Sequence, residues 1–204
     1  MSATIILVIV NVLISWICFS NASLFQRLAH RPWLVDHSKQ YDRWITSGFV
    51  HANWLHLGIN MFVLWQFGQV VEDQFIAISG PVTGVIRYLT IYLIILVASS
   101  MPSYLKHQDD PGYVSVGASG AVSGILFAYV LFFPWRPLYL YGLIPIYSIL
   151  AAVGYLIYSS WASKQNRGVI NHDAHFYGAV SGLLLTSLFY PQVFMAFLRQ
   201  IIPF

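Results

Sequence analysis

Ser115-Val116-Gly117-Ala118-Ser119-Gly120-Ala121-Val122-Ser123-Gly124-Ile125-Leu126-Phe127-Ala128-Tyr129-Val130-Leu131-Phe132-Phe133 contains no charged side chain. It belongs to the charge-free run 111–135, and five further long runs, 1–26, 44–71, 88–105, 137–163 and 174–198, share that property. About 20 apolar residues carry a helix across a bilayer, and each run can supply them. The runs therefore predict an all-α polytopic membrane protein whose helices cover about 3–20, 54–71, 82–100, 118–133, 138–161 and 174–190. A spanning β-barrel would instead alternate apolar and polar residues over about ten positions.

The whole composition agrees. Of 204 residues, 58% are hydrophobic and 8% charged, against about 25% charged in an ordinary soluble domain. A soluble monomer with that surface would precipitate. The net charge of +3 arises from Arg and Lys in short connections, a pattern suited to lipid headgroups and not to nucleic acid. Cys18 is the single cysteine, which excludes an intramolecular disulfide and leaves it as small core filler. The first run is longer than a signal-peptide core and is expected to remain as helix 1. Between 21 and 48 the chain mixes Arg27, Arg31, Lys39 and Arg43 with Leu24, Phe25, Trp33 and Trp44, as an ordered connection at the membrane interface would. Pro134 and Pro137 end the fourth helix, and Pro145 is expected to bend the fifth. The whole chain, 1–204, reads as a single membrane domain.

Consecutive spans alternate in direction, so the second, fourth and sixth helices begin in one leaflet. Those beginnings hold His51, His56, Asn60, Ser119 and His175, and polar groups within a span are functional candidates. Ser119 opens the fourth helix between Gly117 and Gly120, where backbone N–H groups without helical acceptors can receive an oxyanion. Alone it would read as an N-cap. Its leaflet partners favour a nucleophile. Gly120, Gly124 and Ala128 form a ridge for close helix contact, and Gly178 with Gly182 repeats that spacing in the sixth helix. His175, three residues before Gly178, can then reach Ser119 and act as general base. His56 and Asn60 are four apart on one helical face, and both can donate to an oxyanion. His51 admits either a structural hydrogen bond or an assisting role. The charge-free runs hold no carboxylate, and Asp173 lies on another face from His175, so a third triad member is missing. The residues left describe a serine-histidine dyad.

Four segments, Arg43-Trp44-Ile45-Thr46-Ser47-Gly48-Phe49-Val50-His51, His56 to Asn60, Gly117-Ala118-Ser119-Gly120 and Ala174-His175-Phe176-Tyr177-Gly178, resemble those of rhomboid intramembrane serine proteases, in the same order and helices. The resemblance covers nearly the whole chain. It implies a six-helix bundle with a long interfacial first loop that cuts transmembrane segments of other proteins near the membrane surface. It further implies Ser119 as nucleophile, His175 as base, and His56, Asn60 and the Ser119 N–H as the oxyanion hole, with His51, Gly117, Gly120 and Gly178 in support. Neither cofactor nor metal is implied. The fifth helix and the loop 162–172 look like that family's substrate gate and cap, and a bacterial inner membrane is the expected location.

Two positions depart from the family pattern. Ser123 stands four residues after Ser119, where many members place an aromatic ring on the base, and it offers a second candidate hydroxyl. Asp42 precedes Arg43 where tryptophan is common. On the expected map, seven Lys or Arg (27, 31, 39, 43, 106, 164 and 167) lie on the side of the catalytic mouth and three (87, 136 and 199) on the other. Counting alone places the mouth in the cytoplasm. Four of the seven belong to the folded first connection, and the expectation is an outward mouth, as in bacterial members. Two other classes remain: a catalytically silent rhomboid-like protein that holds membrane clients, and a transporter, which should show buried charges or paired broken helices. A metal site from His51, His56, His172 and His175 lacks a His-Glu-x-x-His spacing.

Overall fold

The computed structural model describes residues 2–140, 143–164 and 171–202, and these are mostly helical. Helix α1 (Ala3–Ser20) leads into three short helices, α2 (Ala22–Leu28), α3 (Pro32–His37) and α4 (Arg43–Thr46), and a 3-10 turn at Ser47–Phe49. The longer helices α5 (Trp54–Ser79), α6 (Pro81–His107) and α7 (Ser119–Phe132) follow. Strands β1 (Pro137–Leu140) and β2 (Ile144–Tyr147) form a hairpin, and helices α8 (Ser148–Lys164), α9 (His172–Phe189) and α10 (Pro191–Ile201) complete the order.

Helix α1 shows which solvent the bundle expects. Its buried face is Thr4, Leu7, Asn11, Ser15 and Cys18, while Ile6, Ile9, Leu13 and Trp16 are exposed. Both sets recur at helical spacing. Small and polar side chains face the neighbours and large apolar ones face outward, the arrangement of a helix surrounded by lipid. Among the described residues, α1 and α6 are each long and apolar enough to cross a membrane, and the pair α9 and α10, bent by 112°, is a further candidate.

The expected second helix ends near Val71, yet α5 continues to Ser79 past Glu72. That carboxylate is buried because it caps the start of α1: it accepts from Ser2 Oγ at 2.6 Å, Ala3 N at 2.7 Å and Thr4 N at 2.9 Å. Unpaired N–H groups and the positive end of the helix dipole offset the burial of its charge. A buried charge therefore does exist within a long helix, contrary to the expectation, and its partners give it a structural role.

The expected fifth helix over 138–161 is the larger correction. Its first part is the hairpin, with Pro137 opposite Tyr147 and Tyr139 opposite Pro145, and helix begins only at Ser148. Pro145 cannot donate the helical hydrogen bond and would clash with the preceding turn. The alternation Leu138-Tyr139-Leu140 and Ile144-Pro145-Ile146-Tyr147 suits strands. The Ser148 hydroxyl then donates to the carbonyls of Phe133 and, at 2.8 Å, Pro134, fastening the start of α8 to the end of α7.

Candidate active site

The first connection builds one wall. Arg43 is buried, and its Nη1 donates to the carbonyls of Gln26 (2.9 Å) and Ala29 (2.6 Å) while its Nε donates to Gln40 Oε1 at 2.7 Å. One guanidinium thus gathers α2, α4 and the turn between them, using its fork of donors. Thr46 Oγ1 donates to Leu28 O at 2.8 Å. Asp42, in the place of a common tryptophan, pairs with Arg27 at 2.6 Å. Both partners are well exposed, so the pair adds at most about 1 kcal/mol, and Arg43 supplies the anchoring.

That wall reaches the turn before α7. The Gly117 N–H donates to Ser47 O at 3.0 Å, and His30 and Ser115 exchange both backbone hydrogen bonds, at 2.9 and 3.0 Å. Gly117 has φ +121°, a conformation side chains rarely adopt. A Cβ there would also lie 2.7 Å from His56 Cε1 and 3.0 Å from Nε2. Glycine therefore permits both the turn and the approach of the His56 imidazole, two residues from Ser119.

The other side of Ser119 is set by α9. A Cβ on Gly178 would strike the Gly120 carbonyl, one on Gly182 would strike that of Gly124, and one on Gly120 would lie 3.2 Å from Ala174 O. The two backbones touch at the small-residue ridges that the sequence indicates. Ser119 precedes Gly120 and His175 follows Ala174, so both residues flank this backbone contact. Ser119 is the first residue of α7, with Ala118 at the N-cap and no side-chain cap, which leaves the first-turn N–H groups unpaired. Ser119 and His175 are both half-buried.

His56 N accepts no such freedom: it donates to Asn53 Oδ1 at 2.8 Å, capping α5. The Ala52 N–H points at His56 Nδ1 at 3.5 Å, a long contact whose sense places the ring proton on Nε2, the nitrogen beside Gly117. Asn60 donates one amide hydrogen to His56 O at 2.8 Å and retains a second. The N-terminal ends of α5 and α9 thus each approach the start of α7, α5 through His56 at Gly117 and α9 through Ala174 at Gly120, and Asn60 follows His56 by about one helical turn. His51 stands slightly apart. Ser15 Oγ donates to Phe49 O at 3.0 Å, so its 2.9 Å contact with His51 Nδ1 is donated by the imidazole. His51 thereby fastens this loop to α1. Burial, and then the adjacent His56, hold it down to about 3, so it is neutral at physiological pH, and its ring meets His56 edge-on at 5.1 Å.

Two features escaped the sequence reading. Ser123 is buried and bonded to Tyr155 Oη at 2.6 Å, so the second candidate hydroxyl is already engaged. The Tyr155 ring of α8 lies near-parallel to that of His175, with centroids 6.2 Å apart and planes 19° apart. No spacing rule links 155 to 175; only the packing of α8 does. His172 is buried beside His175, with centroids 6.1 Å apart. Among the described residues no group of three or more His, Cys, Asp or Glu is disposed to hold a metal. Positions 165–170 of the expected cap loop lie outside the described residues.

Comparison with known proteins places the chain in a family. The Rhomboid domain family matches residues 38–192. The chain is 31% identical over 168 residues to Rhomboid-like protein 11, chloroplastic, of Arabidopsis thaliana, covering 76% of this chain and 55% of that protein. It is 27% identical over 145 residues to Rhomboid protein 1, mitochondrial, of Saccharomyces cerevisiae, covering 69% and 39%. A Bacillus subtilis protein whose name marks it provisionally as a rhomboid protease is 27% identical over 149 residues, covering 73% and 67%. The matched stretch therefore spans about half or less of the Arabidopsis and yeast proteins. With most of its length inside the matched region and the motif glycines at the helix contacts they make possible, the chain belongs to the rhomboid family of integral membrane proteins.

Proposed function

We propose that the protein is an intramembrane serine endopeptidase that cleaves transmembrane segments of other membrane proteins with Ser119 and His175. The observation that supports this reading is the backbone contact of α7 and α9 at Gly120, Ala174 and Gly178, residues that lie one to three positions from Ser119 or His175. In this reading α1, α5, α6, α7, α8 and α9 cross the bilayer as one domain, the first connection lies at the interface, and the mouth opens outward from a multi-pass bacterial inner-membrane protein. No cofactor takes part.

The chemistry follows from the placement. His175 takes the Ser119 hydroxyl proton as Oγ attacks the scissile carbonyl, and the C–O bond forms as the carbonyl becomes an oxyanion. The Ser119 N–H, His56 Nε2–H and the free amide hydrogen of Asn60 receive that charge. Collapse breaks the C–N bond, and His175 returns its proton to the leaving amine. Water then gives His175 a proton as its oxygen adds to the acyl carbon, and collapse breaks the bond to Ser119 Oγ, which takes the proton back from His175 while the acyl group leaves as a carboxylic acid. All the groups lie within about two turns of one end of the bundle, so a mouth about 10 Å deep admits that water. A substrate helix must unwind locally, since its carbonyls are otherwise hydrogen-bonded within the helix.

A client-binding relative without chemistry would not need a hydroxyl free of capping duties beside an imidazole. The buried Glu72, a feature expected of a transporter, is satisfied by the start of α1. Incubation of the purified chain with a fluorophosphonate, followed by peptide mass spectrometry, distinguishes these readings. Labelling confined to Ser119 and absent from His175→Ala is the expected result; an unlabelled, well-folded chain would favour client binding.

A further inference from the structure

His175 has two ring neighbours among the described residues, and they differ in kind. His172 meets it nearly edge-on, with planes 80° apart. Tyr155 lies almost parallel, at 19°. The far end of Tyr155 is fixed as well, because its hydroxyl and the Ser123 hydroxyl are 2.6 Å apart. Ser123 is four residues after Ser119, so it lies about one turn along the same face of α7. Tyr155 therefore joins the helix of the serine through its hydroxyl and sets its ring near-parallel to the histidine, with centroids 6.2 Å apart, while its backbone belongs to α8. A serine at 123 leaves the space into which this ring enters, and tyrosine has only two side-chain torsions to fix.

Two openings flank the helix that carries the ring. A cleft of about 380 Å³ lies between α8 and α9, lined by Leu156, Ile157, Ser160, Trp161 and Phe176. A second cavity of about 150 Å³ lies between α7 and α8, with Leu126, Val130, Ala152 and Tyr155 in its wall. Close packing normally fixes a helix against its neighbours. Here the two cavities interrupt that packing, and the Ser123–Tyr155 hydrogen bond bridges the gap beside one of them.

We propose that Tyr155 is a positioning residue for His175: its ring holds the imidazole plane while the Ser123 hydroxyl holds the ring, so that the base is oriented only when α8 is docked against α7. The proposal rests on the reading of His175 as general base. A near-parallel ring restrains the imidazole plane by packing. Displacing α8 removes that restraint without touching the dyad itself.

The experiment compares purified wild type with Tyr155→Leu, Tyr155→Phe, Ser123→Ala and Trp16→Leu in detergent. Two readouts are used: cleavage of a transmembrane substrate, resolved into kcat and KM, and NMR of histidine-labelled protein with the His175 signals assigned from His175→Ala. Misplacing a catalytic group by about 1 Å can lower the rate about 100-fold, so Tyr155→Leu is expected to lose about that much kcat with little change in KM. Tyr155→Phe keeps the ring and most of kcat, Ser123→Ala falls between, and Trp16→Leu, a change of an exposed ring on α1, matches wild type. The His175 signals move in Tyr155→Leu and stay in Trp16→Leu. Unchanged kcat or unmoved His175 signals in Tyr155→Leu overturn the proposal. If Tyr155→Leu fails to fold, equal kcat and equal His175 signals in wild type and Ser123→Ala overturn it instead. Because the NMR arm needs no turnover, a wild type that cleaves nothing counts against the protease reading while this proposal is still decided by the signals.

Discussion

His30 is an imidazole locked in a pocket that suits only its neutral form. It is buried, its ring sits 4.9 Å from that of Trp44, and its backbone holds the strand-like bridge to Ser115. Burial, and then the nearby Arg43, lower it from 6.5 to about 4. Its folded-state value is below its unfolded one, so the unfolded chain binds more protons between those limits. The stability contributed is complete above about pH 6.5 and is lost as pH falls towards 4, amounting to about 3 kcal/mol for a shift of this size. The expectation is that wild type loses thermal stability between pH 7 and 4.5 more steeply than His30→Gln, measured as unfolding midpoints in one detergent. Parallel pH profiles for the two proteins would show that His30 is not the group concerned. The same connection shows why Asp42 can replace an aromatic residue: Arg43 binds two carbonyls and a side-chain amide, and the chain is anchored without its predecessor.

At the scale of elements, the contact of α7 with α9 carries the argument, and it was legible because small residues at a spacing of four leave few alternatives. Gly120, Gly124, Gly178 and Gly182 do lie in that contact. Gly178→Val is expected to destabilise the protein by at least about 1–3 kcal/mol through overpacking and to abolish activity by parting Ser119 from His175. Loss of activity should precede any fall in the unfolding midpoint large enough to denature the protein at the assay temperature. Retained activity and stability would mean that the helices do not meet there. Helix ends were less legible. A charge-free run shows that a segment is apolar and not whether it is helix or strand, so the hairpin at Pro137–Tyr147 was read as the start of a helix, although two prolines and an alternating aromatic pattern lay within it. A charge was taken to end α5, because the sequence does not reveal that the start of α1 will receive Glu72. The bent α10 after Tyr190 was not anticipated, and the role of Tyr155 depends on a docking angle that no spacing encodes.

Across the whole molecule, the composition already required a non-aqueous surface, and the exposed face of α1 together with Leu55, Ile59, Phe62 and Trp65 on α5 provides it. The polar groups gather at one end, where α5, α7 and α9 begin and the C-terminal part of α6 closes the ring through Ser103, which accepts from Asn171 Nδ2 at 2.7 Å. This separation of a lipid-facing girdle from a polar mouth is what hydrolysis within a membrane requires: apolar surface to meet the substrate helix and water at the bond to be cut. The central claim, that Ser119 and His175 together perform this reaction, is tested most directly by cleavage of a transmembrane substrate with purified protein in detergent, comparing wild type with Ser119→Ala and His175→Ala. The account predicts cleavage by wild type and its loss in both folded variants; cleavage that survives either substitution would contradict it.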